Sequence, residues 1–161
     1  MLLMHKVFLK ILFLIPVIGY ANDPFEEINR EVWTFNEGVD NRIARPVAEF
    51  YDDVVPKSIQ SSITNFFSNL DEIDNSINQL LQGKPVAAGN DFARFLVNTT
   101  FGFLGFFDVA SIMGLEEHDE DFGQTLGVWG VPTGPYLMLP FYGPSSPRDL
   151  VGRPISGVLS G

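Results

Sequence analysis

The apolar positions recur at helical spacing from residue 25 to residue 96. Phe25, Ile28, Val32 and Phe35 lie three or four apart, with Glu27, Arg30, Glu31 and Glu37 largely on other faces. Asp23-Pro24-Phe25-Glu26 precedes them as a helix start, with Asp as N-cap, Pro at the first helical position and Glu three residues after the cap. Gly38 lies near the expected end. Arg45-Pro46 opens a second short helix with Val47, Phe50, Tyr51 and Val54 on its apolar side. Pro56 opens a third, with Ile59, Ile63, Phe66, Phe67 and Leu70 expected inward. Asp71 serves as cap for a fourth, with Ile73, Ile77, Leu80 and Leu81 inward and Gly83 as its stop. Pro85 begins a fifth through Val86, Phe92, Phe95 and Leu96. No run alternates long enough to suggest a sheet, so the pattern predicts an all-α chain of short amphipathic helices.

After Asn98-Thr99-Thr100 the pattern changes. Phe101–Leu115 holds four Phe, three Gly and one charge, Asp108, and is too short to span a bilayer. It reads either as a buried helix or as a segment at a membrane interface. Glu116–Asp121, EEHDED, is a break expected to face water. Phe122–Gly152 then carries six Gly and five Pro in 31 residues, too many for a long helix or a central strand. Yet Leu126, Trp129, Val131, Tyr136, Leu137, Met138, Leu139 and Phe141 make it too apolar for a solvated loop. Two such stretches in succession are more apolar surface than five short helices readily cover, which favours the interface reading.

Composition narrows the function. The 161 residues carry 45% hydrophobic side chains and a net charge of −10, enough for one domain. An acidic chain repels phosphate backbones, which argues against nucleic acid as a partner. No Cys is present, so disulfides, thiolate metal sites and a Cys nucleophile are excluded. Residues 1–21 read as a cleaved secretory signal in preference to an uncleaved anchor. They have a basic start at Lys6 and Lys10, an apolar Val7–Ile18 run broken at Pro16, and small residues at Gly19 and Ala21 before the cut. A single domain is expected over residues 22–161.

Candidate chemistry is sparse. The acidic run lacks the alternation and glycine of a calcium loop and reads as a solvated face, so no metal or other cofactor is expected. His118 is the lone histidine after residue 21, and neither a G-x-S-x-G elbow nor H-E-x-x-H is present. The many helical Asn, among them Asn29, Asn36, Asn69, Asn75 and Asn98, have two open readings. They are caps and exposed positions, or a polar lining inside an apolar body.

The chain resembles a known family. Asp23-Pro24-Phe25-Glu26 with Asn29-Arg30 and Phe35-Asn36 is similar to the opening of the MlaA (VacJ) outer-membrane lipoproteins. Arg45-Pro46-Val47-Ala48, Asn65–Leu70, Leu81–Pro85, Arg94–Thr100, Phe107–Ala110, Phe122–Gly127 and Gly134–Gly143 with Arg148-Asp149 continue the likeness in order. The resemblance implies a compact, ring-like helical protein in the inner leaflet of the outer membrane. Its channel would let misplaced outer-leaflet phospholipids leave for an MlaC-like periplasmic carrier, in association with a trimeric porin, and without covalent chemistry. The family's lipobox Cys has no counterpart here. Family members usually continue with further helices, so a ring incomplete at its C-terminal end is expected. On this reading Phe35, Asn36, Asp40, Asn98, Thr99, Thr125 and Tyr136 contribute to the lipid path. Phe101, Phe103, Phe106, Phe107, Trp129, Leu137, Leu139 and Phe141 meet the membrane interface. The rival readings are a soluble periplasmic module for lipids or other hydrophobic ligands, and a phospholipid hydrolase using His118.

Overall fold

A computed structural model describes residues 23–152. The expected signal at 1–21, and the residues beyond 152, lie outside the described residues. Asp23 was expected as the N-cap with Pro24 first in the helix, but the cap position falls two residues later at Phe25, without a side-chain cap. Asp23 Oδ1 instead accepts from the Phe25 N–H at 2.9 Å in a turn that leads into the helix at Glu26. Helix α1 (Glu26–Val39) does not stop at Gly38. It passes through a π-turn at Asp40–Ala44 into α2 (Arg45–Val54), where two separate helices were expected. Pro46 has no N–H to offer the helix, and its ring would clash with a normally wound preceding turn. Widening that turn, with Arg45 N–H on Asp40 O, lets the chain remain helical past the proline.

Helix α3 (Lys57–Leu81) is also one helix where two were expected. Asp71 lies inside it, because no Gly or Pro interrupts these 25 residues and a lone Asp is too weak a signal to break them. At its end Gly83 adopts φ +77°, and the Gly83 and Lys84 N–H groups close onto Leu80 and Gln79 carbonyls. Helix α4 (Pro85–Thr100) starts with Pro at its first turn, as expected, and packs along α3. A tight turn at 101–107 leads to α5 (Val109–Ile112), capped by the Asp108 carboxylate on Ser111 N–H at 3.1 Å. Phe101–Leu115 is thus neither a buried helix nor a single element. Helix α6 (Phe122–Val128) is capped by Asp121 on Gln124 N–H at 2.6 Å. A two-stranded hairpin follows, β1 (Leu137–Leu139) antiparallel to β2 (Gly143–Ser145), and helical backbone resumes at 147. The class is all-α with this one small exception, which the sequence reading missed.

The core is the reverse of the expected one. Among the described residues, Ala88 and Ala110 are the only apolar residues fully buried. What α3 and α4 bury against each other is a polar seam. Asn69, Glu72, Ser76 and Gln79 follow a three-four-three spacing on α3, and Asp91, Arg94 and Asn98 face them from α4. Ile59, Ile63, Phe67, Leu80, Leu81, Phe92 and Leu96, expected inward or placed on the apolar faces, are exposed, as are Val47, Phe50 and Val54 of α2. Periodicity locates an apolar face but does not say which way it turns.

Three asparagines fix the non-helical segments in one repeated manner. Asn29 donates to Tyr136 O at 3.1 Å and accepts from Met138 N–H at 2.7 Å. Asn36 donates to Leu139 O at 2.9 Å and accepts from Phe141 N–H at 2.8 Å. Asn75 donates to His118 O at 2.7 Å and accepts from Glu120 N–H at 3.0 Å. Each amide takes the carbonyl of one residue and the N–H two residues on, as a neighbouring strand would. The two sequence readings of these residues, caps or lining, are replaced by a third, a clamp on backbone. Asn36→Leu is expected to destabilise the fold by about 2 kcal/mol, two net hydrogen bonds' worth. Hydrogen exchange checks it: the Phe141 N–H should exchange faster while the Met138 N–H, held by Asn29, stays protected.

Candidate functional site

The clamps set the hairpin across the face of the long α1–α2 run and leave an open groove of about 690 Å³ between them. Trp33, Glu37, Asp40 and Asn41 recur at helical spacing along one wall, and the π-turn brings Arg45 onto the same side. Tyr136, Met138, Gly143 and Pro144 form the other wall. Arg45 Nη2 lies 3.2 Å from Asp40 Oδ2 across the widened turn. Of the residues expected on a lipid path, Asn36, Asp40 and Tyr136 meet here. Phe35 lies beside them, edge-on to Phe141 with ring centroids 5.3 Å apart. Asn98, Thr99 and Thr125 are elsewhere. Asn98 Oδ1 accepts from Ala110 N–H at 2.8 Å, Thr99 Oγ1 accepts from Asn69 Nδ2 at 2.9 Å, and Thr125 Oγ1 donates to Asn78 Oδ1 at 2.8 Å. Trp33, Glu37 and Arg45 were missed, although Trp33, Glu37 and Asp40 share one helical face in the sequence.

The residues expected at a membrane interface fall into two groups. Phe101, Phe103 and Phe107 are well exposed on the 101–107 turn, and Leu104 with them. Phe106 is half-buried and stacks on Phe66 at 5.1 Å. Asn65 Nδ2 holds the turn to α3 through Phe106 O at 3.3 Å. Gly102 is required there, because a Cβ would stand 2.1 Å from Phe107 O. On the hairpin Phe141 is exposed at its turn, whereas Leu137 and Leu139 are half-buried. Trp129 exposes about half its surface while its Nε1 donates to Leu81 O at 3.0 Å. Among the described residues no helix is long and apolar enough to cross a membrane.

The polar seam carries the charges. Arg94 and Glu72, each 2% exposed at the side chain, form an ion pair. Arg94 also donates to Leu115 O at 2.8 Å and Ser111 Oγ at 3.1 Å. Burial pushes the Glu72 carboxyl up to about 7 against the pull of the guanidinium, and Glu72 Oε2 has no donor among the described residues. Burial also opposes the charge on Arg94, but Glu72, Asp108 and Glu117 more than offset it and its pKa is raised. Asp108 is lowered: burial is overcome by its bonds from Ser111 and Asn98 and by Arg94.

The acidic loop is less solvated than expected. His118 Nδ1 meets the fully buried Asp91 at 2.5 Å, and Lys84 Nζ meets Glu120 Oε1 at 2.8 Å, so the loop is fastened to α4 and to the turn before it. With Asn75 holding its backbone as well, the loop is a structural tie. Among the described residues no three His, Cys, Asp or Glu side chains gather as a metal site.

Comparison with known proteins places this geometry. The family model described as MlaA lipoprotein matches residues 21–160. The intermembrane phospholipid transport system lipoprotein MlaA of Haemophilus influenzae is 42% identical over 138 residues, covering 84% of this chain and 55% of the relative. Its Escherichia coli counterpart of the same name is 42% identical over 134 residues, covering 80% and 53%. The chain spans about half the length of the curated relatives it matches. A solved structure described as "Structural basis for maintenance of bacterial outer membrane lipid asymmetry" superposes with a TM-score of 0.74 at 42% identity, over 80% of this chain and 66% of that one.

Proposed function

The chain belongs to the MlaA lipoprotein family, and on that footing we propose that it is an outer-membrane-associated component of phospholipid transport. It would remove misplaced outer-leaflet phospholipids and so maintain lipid asymmetry. The observation that carries this reading is the inverted burial: polar side chains inside, Phe, Ile, Leu and Val outside. Such a body is costly in water and favourable among acyl chains, where its apolar faces meet lipid and its polar groups satisfy each other. In this reading the 101–107 turn and Phe141 dock it from the periplasmic side, and the groove beside Trp33 and Tyr136 lies on the headgroup path. A two-tailed lipid moves cheaply only where tails meet apolar surface and headgroup meets polar groups or water. No bond is made or broken, so the protein is not an enzyme in this proposal. A trimeric porin and an MlaC-like periplasmic carrier are the partners the family resemblance brings.

The test is expression in a strain lacking its own copy of the transport lipoprotein, with outer-leaflet phospholipid as the readout. Restored asymmetry with the protein in the outer-membrane fraction is expected. Recovery only in the soluble periplasmic fraction would sink the membrane reading in favour of a soluble lipid-binding module.

A further inference from the structure

Resting on the phospholipid reading above, we propose that the groove between the 33–45 face and the hairpin selects phospholipids whose headgroup carries an ammonium, over those with an uncharged polyol. Two aromatic rings, two carboxylates and one guanidinium line it. Trp33 and Tyr136 are 51% and 44% exposed, so their faces are available, and they also wall the adjoining groove of about 340 Å³. Cations sit favourably over such rings. Arg45 neutralises Asp40 at 3.2 Å, and no cation pairs with Glu37 among the described residues. The groove therefore keeps one carboxylate beyond what its own arginine balances.

A polyol phospholipid brings only its phosphate charge, which that carboxylate repels. A zwitterionic headgroup brings a phosphate for Arg45 and an ammonium for Glu37 and the rings. The spacing suits it. Arg45 reaches back to the level of Asp40, roughly one helical turn, or ~5 Å, from Glu37, comparable to the reach from phosphate to amine in an ethanolamine headgroup. Met138 and Pro144 supply apolar floor for the glycerol and first methylenes. The π-turn makes the arrangement possible, since it swings Arg45 onto the face that Glu37 and Asp40 already share. Such bulges recur at ligand sites.

The test uses the full chain in mild detergent with Trp129→Phe, which leaves Trp33 as the lone tryptophan reporter. Dihexanoyl-phosphatidylethanolamine and dihexanoyl-phosphatidylglycerol are titrated below their micelle concentrations at equal ionic strength. The ethanolamine lipid is expected to bind about tenfold more tightly, the scale of one cation–π contact with a partly solvated carboxylate. Glu37→Gln should erase most of that ratio, as should Tyr136→Leu. Equal affinity for the two lipids overturns the selectivity while leaving phospholipid binding intact. Glycerophosphoethanolamine binding as tightly as the acylated lipid would overturn a lipid as the ligand. No fluorescence response to any of the three overturns the groove as the site, and the complementation assay then judges the transport reading separately.

Discussion

Arg94→Met is expected to lower the unfolding free energy by about 3–5 kcal/mol, the usual consequence of stranding a buried carboxylate. Glu72 would remain 1% exposed having lost the one cation paired with it among the described residues, next to Asp91 on the same seam. The fold has little apolar burial to compensate, since only Ala88 and Ala110 are fully buried among its described apolar residues. Chemical denaturation followed by helical circular dichroism measures the loss. The double variant Arg94→Met with Glu72→Met should recover most of it, because two packed thioethers need no partner. Equal loss in the single and double variants would show that shape, not charge, is what the seam requires. The pair also has a pH signature. A Glu72 carboxyl held at about 7 in the fold and near 4.5 unfolded keeps its proton longer when folded. Its contribution is therefore present below pH 4.5 and is lost as pH rises toward 7. Relative to Glu72→Gln, the unmodified protein should weaken across that window.

Phe103→Asp with Phe107→Asp is expected to weaken membrane association on the order of 10³-fold. Both rings are well exposed, at 71% and 60%, and burying each among acyl chains is worth about 2–3 kcal/mol. The backbone holds them outward. Phe103 and Leu104 take φ of 53° and 60°, a region that bulky residues rarely occupy and that costs of order 1 kcal/mol or more each. The surroundings enforce that conformation through Asn65 on Phe106 O and the Gly102 contact. Flotation with phospholipid vesicles measures the effect, with circular dichroism to show that the helices persist. A variant that floats as well as the parent would remove the turn from the docking surface.

How much of this was legible in the sequence differs by element. The start at Pro85 and the stop at Gly83 were readable because a proline in the first turn and a left-handed stop depend on local residue chemistry, whereas the cap expected at Asp23 falls at Phe25. The joins at 40–44 and at Asp71 were not, since a proline after a helix and an Asp inside one are compatible with both breaking and continuing. The hairpin escaped because its strands have three residues each and include Pro144, below any alternation signal. The direction of the apolar faces was hidden for a deeper reason. Spacing is the same whether Phe67 points into a core or away from one. Of the groove's lining residues, Asn36, Asp40 and Tyr136 are among those the sequence reading expected on a lipid path. Trp33, Glu37 and Arg45 needed the π-turn and the hairpin to be brought together.

The asparagine clamps have a consequence for how this protein can change. A pairing through one carbonyl and one N–H is blind to side chains: Asn29 and Asn36 hold residues 136–141 whatever those residues carry outward. Position is thereby separated from identity. The hairpin's outer face can be rewritten, residue by residue, for a different neighbour without loosening the frame that presents it. A protein built this way is a natural scaffold for altering recognition while leaving its architecture untouched.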